Sequence, residues 1–166
     1  MPTLITPITA TVISNAIVRS VEGVFKTMAG SDISLAPADQ SPGSEHPAQI
    51  IGSVGFVGDA SGLVYLALGD SFAQHLSSVI LGMSPAEVEM HGAEVVNDVI
   101  GEITNMIVGG FKNALCDLGH PCKLTLPTIV RGQNLEVAAI KSADRHIFRF
   151  DCGPHRLVAD IQLKQE

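Results

Sequence analysis

The chain contains no tryptophan, one tyrosine and six phenylalanines, so aromatic residues make up only 4% of it. Hydrophobic residues nonetheless account for 46% of the 166 positions. The core must therefore be built from valine, isoleucine, leucine and alanine, and a single domain over residues 1–166 is expected. Basic residues are also scarce: 10 Lys and Arg against 17 Asp and Glu give a net charge of -7 and a pI near 5.2. No Lys/Arg cluster occurs, which argues against nucleic acid and anionic membrane surfaces as partners. Cysteines are few and odd in number (Cys116, Cys122, Cys152). They suit reduced thiols in a cytoplasm better than a disulfide framework. The start, MPTLITPITATVISNAIVR, has no basic region and is interrupted by Pro7 and Asn15. It reads as neither a secretory signal nor a membrane span.

What is present is periodic. Val12, Ile13, Ala16, Ile17, Val21, Val24 and Phe25 recur at helical spacing, and Gly30 stands where such a helix would stop. After ISLAP, the polar stretch ADQSPGSEHPAQ predicts an exposed loop. IIGSVGFVG and GLVYLAL flank Asp59-Ala60-Ser61, a connection short enough to join two antiparallel strands. Asp70 is a candidate N-cap for a helix over Ser71 to Leu81, closed by Gly82. Ser84-Pro85-Ala86-Glu87 has the form of a capping box with proline at the first helical position. The periodicity that follows runs to Leu118, ~50 Å of helix if unbroken, with a kink or break expected near His91-Gly92. Three β-like runs close the chain: KLTLPTIVR, LEVAAIK with RHIFRFD, and HRLVADIQL. This order predicts an α+β fold, with long helices packed on a largely antiparallel β-sheet.

Within the longest helical run lies GEITN, residues 101–105. On a wheel turning 100° per residue, Val96, Ile100, Ile103, Ile107, Phe111, Ala114 and Leu118 share one face, the expected core. Asp98, Glu102, Asn105 and Gly109 form a stripe nearly opposite, with Gly101 at its edge. Glycine inside a helix costs about 1 kcal/mol relative to alanine, which makes sense if another backbone approaches closely. The plain alternative is a solvated face, with the glycines serving helix packing. An exposed amide can orient a water for in-line attack, and a nearby carboxylate can ion-pair with a partner's lysine and set the docking register. Neither needs a metal on this chain; a phosphoryl group and any Mg²⁺ would arrive with the partner.

The residues that carry a resemblance are Asp98, Glu102 after the three residues VIG, Asn105 after the two residues IT, and Pro127 after the 21 residues 106–126. This spacing resembles the signature of the chemotaxis phosphatases CheC, CheX and FliY, and GDASGLVYLAL and LPTIVRG are similar to their counterparts in CheX-like members. The resemblance implies a CheC-like fold and hydrolysis of the phospho-aspartate on a CheY-like response regulator. It implies that Glu102 contacts the regulator's active-site lysine and Asn105 orients the attacking water. Asp98 and Pro127 would be positioning residues, and Gly101 and Gly109 would lie against the partner. The chain itself would hold no cofactor, with Mg²⁺ in the regulator's active site. Two-site members repeat the motif on the first long helix. Here Glu22 is followed at the asparagine position by Phe25, so one site per chain is expected, as in CheX, together with a homodimer joined through sheet edges.

Other chemistry has thin support. His91 and Glu94 supply two potential ligands, while Cys116, His120 and Cys122 straddle a helix end without an evident fourth, so no metal site is expected. Ser61 has no visible His/Asp partners and suits a hairpin turn. GFVGDASG lacks the strand, GxGxxG and helix of a dinucleotide site. The competing function is a regulator-binding adaptor without turnover; a purely structural dimer subunit would make no use of the stripe.

Overall fold

The computed structural model describes residues 5–37 and 48–165. Thr9 caps the first helix, α1 (Ala10–Val24), by accepting from the Val12 N–H at 3.2 Å. The helix runs on into a π-helical turn at Phe25–Ala29 and stops at Gly30, whose φ of 58° is left-handed. Then follow β1 (Ser34–Leu35), β2 (Ala48–Gly58), β3 (Ala60–Leu68), α2 (Asp70–Leu81), α3 (Pro85–His91) and α4 (Ala93–Asp117). The chain closes with β4 (Cys122–Leu124), β5 (Thr128–Leu135), β6 (Asp144–Cys152) and β7 (His155–Gln165).

The seven strands form one sheet in the order β1-β6-β7-β3-β2-β4, with β5 also on β2, and every pairing is antiparallel. The α+β expectation of helices on an antiparallel sheet is what the chain adopts. Strand alternation sets the two faces. Ile50, Val54 and Phe56 of β2, Val64, Leu66 and Leu68 of β3, and Leu157, Ala159, Ile161 and Leu163 of β7 point into the core. Ile13, Ile17 and Val21 of α1, Phe72 and Leu76 of α2, and Ile100, Ile107 and Phe111 of α4 cover them. Each fully buried side chain of this size is worth about 1.5–3 kcal/mol over its exposed state. α1 and α4 touch at Gly110, where an added β-carbon would come 2.3 Å from Ser20 Oγ. That hydroxyl donates to the Ile107 carbonyl at 2.6 Å.

Several local expectations need adjustment. The polar loop falls mostly on residues 38–47, outside the described residues, while Ala48 and Gln49 already belong to β2. The N-cap of α2 is Gly69, and Asp70 is its first helical residue. The Asp70 N–H donates instead to Gln49 Oε1 at 2.8 Å. The capping box at Ser84 and Glu87 forms as expected, and the long helix breaks at Gly92, with φ 81° and ψ −173°. LEVAAIK does not form a strand. β5 ends where Leu135 pairs with Ala48, the first residue of β2. The chain beyond crosses the outer face of the sheet instead. There the Ile140 N–H donates to Gln162 Oε1 at 2.5 Å, and the Val137 and Ala138 carbonyls accept from Arg145 and Gln162.

At the far end of the sheet, His155 stacks on Phe72 with ring centroids 4.7 Å apart, and His75 lies 5.4 Å from it. Burial, and then the neighbouring His75, push the His155 pKa below its ordinary value of 6.5. The unfolded chain therefore takes up this proton first. Stability present above about pH 6.5 is lost as pH falls through the lowered folded value. Replacing His155 with phenylalanine should flatten that loss. Urea unfolding at pH 7.5 and pH 5.0 checks this, and an equal acid-side loss in parent and variant would refute it.

Candidate functional site: a polar stripe on helix α4

The buried side of α4 fixes its exposed side. Thr104 is fully buried, and its hydroxyl donates to the Ile100 carbonyl at 2.7 Å. It rests on bare strand, since a β-carbon on Gly52 would come 2.3 Å from Thr104 Oγ1. With Ile100, Ile103, Ile107 and Phe111 turned inward, Asp98, Glu102 and Asn105 are exposed together on one side of the helix. Among the described residues, no side chain pairs with any of the three.

The two glycines differ. Gly101 is buried, and Ile129 of β5 would meet its added β-carbon at 3.9 Å, in ordinary contact. What lies over Gly101 is therefore a side chain of this chain's own β5, at ordinary contact distance. Gly109 has nothing within 4 Å of its β-carbon position and faces open space.

β5 runs beside the stripe in the opposite direction to α4. Ile129 lies over Gly101, and two residues on, Arg131 Nε donates to Asn97 Oδ1, four residues back along the helix. Two strand residues span about 6.6 Å and four helix residues about 6 Å, so this register stays in step. Pro127 immediately precedes β5, two residues before Ile129, and Asn105 lies four residues beyond Gly101 on the helix. Pro127 is exposed, Leu126 beside it is 87% exposed, and Thr125 Oγ1 accepts from the Gly55 N–H at 2.8 Å, anchoring the turn to β2. The sequence left Arg131, Asn97 and Ile129 out of the candidate set. The signal for Ile129 and Arg131 was the alternation in PTIVRG, which turns both toward the helix together.

Charge along the first five turns of α4 has one sign, and Lys112 comes only near its end. Glu94, Asp98 and Glu102 recur every four residues, and residues 85–111 contain no Lys or Arg. Like charges at this spacing cost a few tenths of a kcal/mol each on an isolated helix. On the first helix Glu22 is exposed, but Phe25 is 2% exposed and packs in the core against Phe72. Among the described residues, no group of three or more His, Cys, Asp or Glu is arranged to hold a metal ion. His120 Nε2 lies 2.6 Å from the Thr6 carbonyl, and the Cys122 thiol is buried beside Cys116. A depression of about 760 Å³ lies away from the stripe, lined in part by Leu135, Arg145, Arg156 and Asp160. Its arginines are taken up by Asp160 and Asp151, at 2.7 and 2.9 Å.

Residues 50–151 match the family model described as chemotaxis phosphatase CheX. The chain belongs to the CheX family. A CheX relative, the CheY-P phosphatase CheX of Thermotoga maritima, is 25% identical over 126 residues, covering 75% of this chain and 79% of that protein. A CheC-like superfamily protein from Shewanella sp. PV-4 superimposes with a TM-score of 0.81 at 24% identity, covering 94% and 99% of the two chains. The CheX of Borrelia burgdorferi, solved in a complex with CheY, BeF3 and Mg, superimposes with a TM-score of 0.73 at 18% identity, covering 92% and 98%. The architecture of this chain is thus the CheX architecture.

Because Gly101 has room for a methyl group under Ile129, Gly101→Ala should stabilise the fold by up to about 1 kcal/mol through helix propensity. Thermal unfolding measures this, and a clear loss of stability would mean that α4 and β5 pack more tightly here than the 3.9 Å spacing implies.

Proposed function

We propose that this chain is a response-regulator phosphatase that hydrolyses the phospho-aspartate of a CheY-like protein. One observation carries the reading: Glu102 and Asn105 stand exposed, side by side and unpartnered, on a helix whose opposite face is locked in the core. The family membership and the CheY complex of the Borrelia relative support it.

In this reading the regulator brings the acyl phosphate, its active-site lysine and its Mg²⁺, and this chain brings Glu102 and Asn105. The Glu102 carboxylate accepts an ion pair from the lysine and fixes the docking angle. The Asn105 side-chain carbonyl accepts a hydrogen bond from a water, while its amide N–H donates toward the phosphoryl oxygens. The water oxygen attacks phosphorus in line and the bond from phosphorus to the aspartyl oxygen breaks, leaving inorganic phosphate and a free carboxylate. Asp98 and Pro127 act as positioning residues, and the open surface at Gly109 admits the partner's backbone. The acidic stripe favours a partner with a cationic rim, so raising ionic strength should weaken docking.

The two residues should fail differently. Glu102→Ala removes a docking contact and should reduce both affinity and turnover. Asn105→Ala removes a group needed chiefly in the transition state, at a cost of ~3 kcal/mol or ~10²-fold in rate. Affinity for a BeF3-treated regulator should survive that second change. The measurement is dephosphorylation rate beside this affinity, with Mg²⁺ present. An Asn105→Ala protein as fast as its parent would replace the phosphatase by the adaptor.

The same proposal includes a homodimer and a cytoplasmic location. The three free thiols suit a reducing compartment. Among the described residues, no helix is long and apolar enough to cross a membrane. Among the described residues, the edge of β6 is met by β1 at Asp151 and Phe150 and by the Ala36 N–H at the Arg149 carbonyl, and Ile147, 37% exposed, lies further along that strand. An edge of this kind favours pairing with a second copy. Light scattering should report a dimer mass, and a monomer mass at all concentrations would exclude it.

A further inference from the structure

Arg131 joins three elements. It lies on β5 opposite Ile50 of β2, with its side chain turned to the helices. Its Nε donates to Asn97 Oδ1 on α4, and its Nη1 pairs with Asp70 Oδ1 at the start of α2, 3.2 Å away. Asp70 is itself held, because its other oxygen accepts from Gln74 Nε2 at 2.9 Å and its N–H donates to Gln49 Oε1 at 2.8 Å. The guanidinium therefore meets an acceptor that is already fixed. Its side chain is 30% exposed and that of Asp70 37% exposed, and pairs this open to water add little to global stability. What the fork geometry supplies is direction: one planar group binds two helices at once, which a lysine ammonium on a flexible stem does not reproduce.

We infer that Arg131 is a positioning residue of the phosphatase site. By bridging Asn97 and Asp70 it fixes the axial register of α4 against β5, and with it the height of Asn105 relative to Pro127. The inference rests on the reading of Asn105 as the group that orients water. Its logic is the steep dependence of such steps on position, since a displacement of about 1 Å can cost on the order of 10² in rate. Asn97 adjoins Asp98 and lies two helical turns before Asn105, so a shift there is carried along a rigid rod.

The test uses a CheY-like regulator phosphorylated with acetyl phosphate for turnover, and the same regulator with BeF3 and Mg²⁺ for binding. Arg131→Ala should lower kcat about tenfold, on the scale of one hydrogen bond to a charged group. Affinity for the BeF3 form and Tm should change little. Asn97→Ala should reproduce this loss, the double variant should be no slower than either single one, and Arg131→Lys should recover little. Amide hydrogen exchange at residues 97–101 and 129–132 should quicken in both single variants, a readout independent of catalysis. Unchanged kcat and exchange in Arg131→Ala, full recovery with lysine, or multiplicative losses in the double variant would overturn the inference. Affinity falling in step with kcat would make Arg131 a docking contact and overturn it too. An Asn105→Ala protein with parental turnover would instead overturn the function on which it rests, leaving the exchange result to stand alone.

Discussion

Helix α4 comes closest to the backbone of strand β2 where the Thr104 side chain meets Gly52. The contact is possible because the strand has no side chain there and because the threonine hydroxyl is satisfied by its own helix, at Ile100. A buried hydroxyl without that bond would oppose the packing by a few kcal/mol. Ile129 closes the same junction, since its Cδ1 lies 3.3 Å from the β-carbon position of Gly52 and about 4.0 Å from that of Gly101. Helix, central strand and edge strand are thus pinned together midway along α4. The rotation of the helix follows from this contact, and so does the direction in which Asp98, Glu102 and Asn105 face.

The fold keeps its own charges away from that junction. On the outer side of the sheet, Asp160 is 3% exposed and receives Arg145 through Nε and Nη2, with Gln162 beside it. Burial, and then the Asp160 charge, raise the Tyr65 pKa there. Asp160 is buried although Arg145 reaches solvent, so removing the arginine would leave a buried carboxylate without its main partner, and this side of the sheet is a structural anchor. The α4 surface is the reverse: its carboxylates have no partner among the described residues, and the fold does not use them. Internal pairing on one face and unspent charge on the other give the molecule a working side.

Much of this was legible in the residues. The 3.6-residue period of α4 separated core from stripe correctly for Ile100, Ile103, Ile107 and Phe111 on one side and Asp98, Glu102 and Asn105 on the other. Ser84, Glu87 and Gly92 marked their boundaries because capping and positive φ are local properties. The failures were non-local. LEVAAIK alternates like a strand, but its backbone bonds the Gln162 and Arg145 side chains on the outer face of the sheet, which no local pattern announces. Gly101 stood near the stripe on a wheel, yet whether it meets a partner or Ile129 depends on where β5 passes. Arg131 carries no motif, and its meaning appears only when α2 and α4 are seen on either side of it.

The break at Gly92 separates two jobs that one continuous helix would combine. In an unbroken helix, every residue inserted or deleted upstream would turn the later part by about 100° relative to what precedes it. A residue at φ 81° and ψ −173° ends that transmission, so α4 takes its phase from its own contacts with the core and with Gly52. α3, with Met90 86% exposed on it, is free to change length, angle or sequence without rotating the stripe. The joint thus divides the surface into a half that can change without consequence for the stripe and a half whose facing is set by the core.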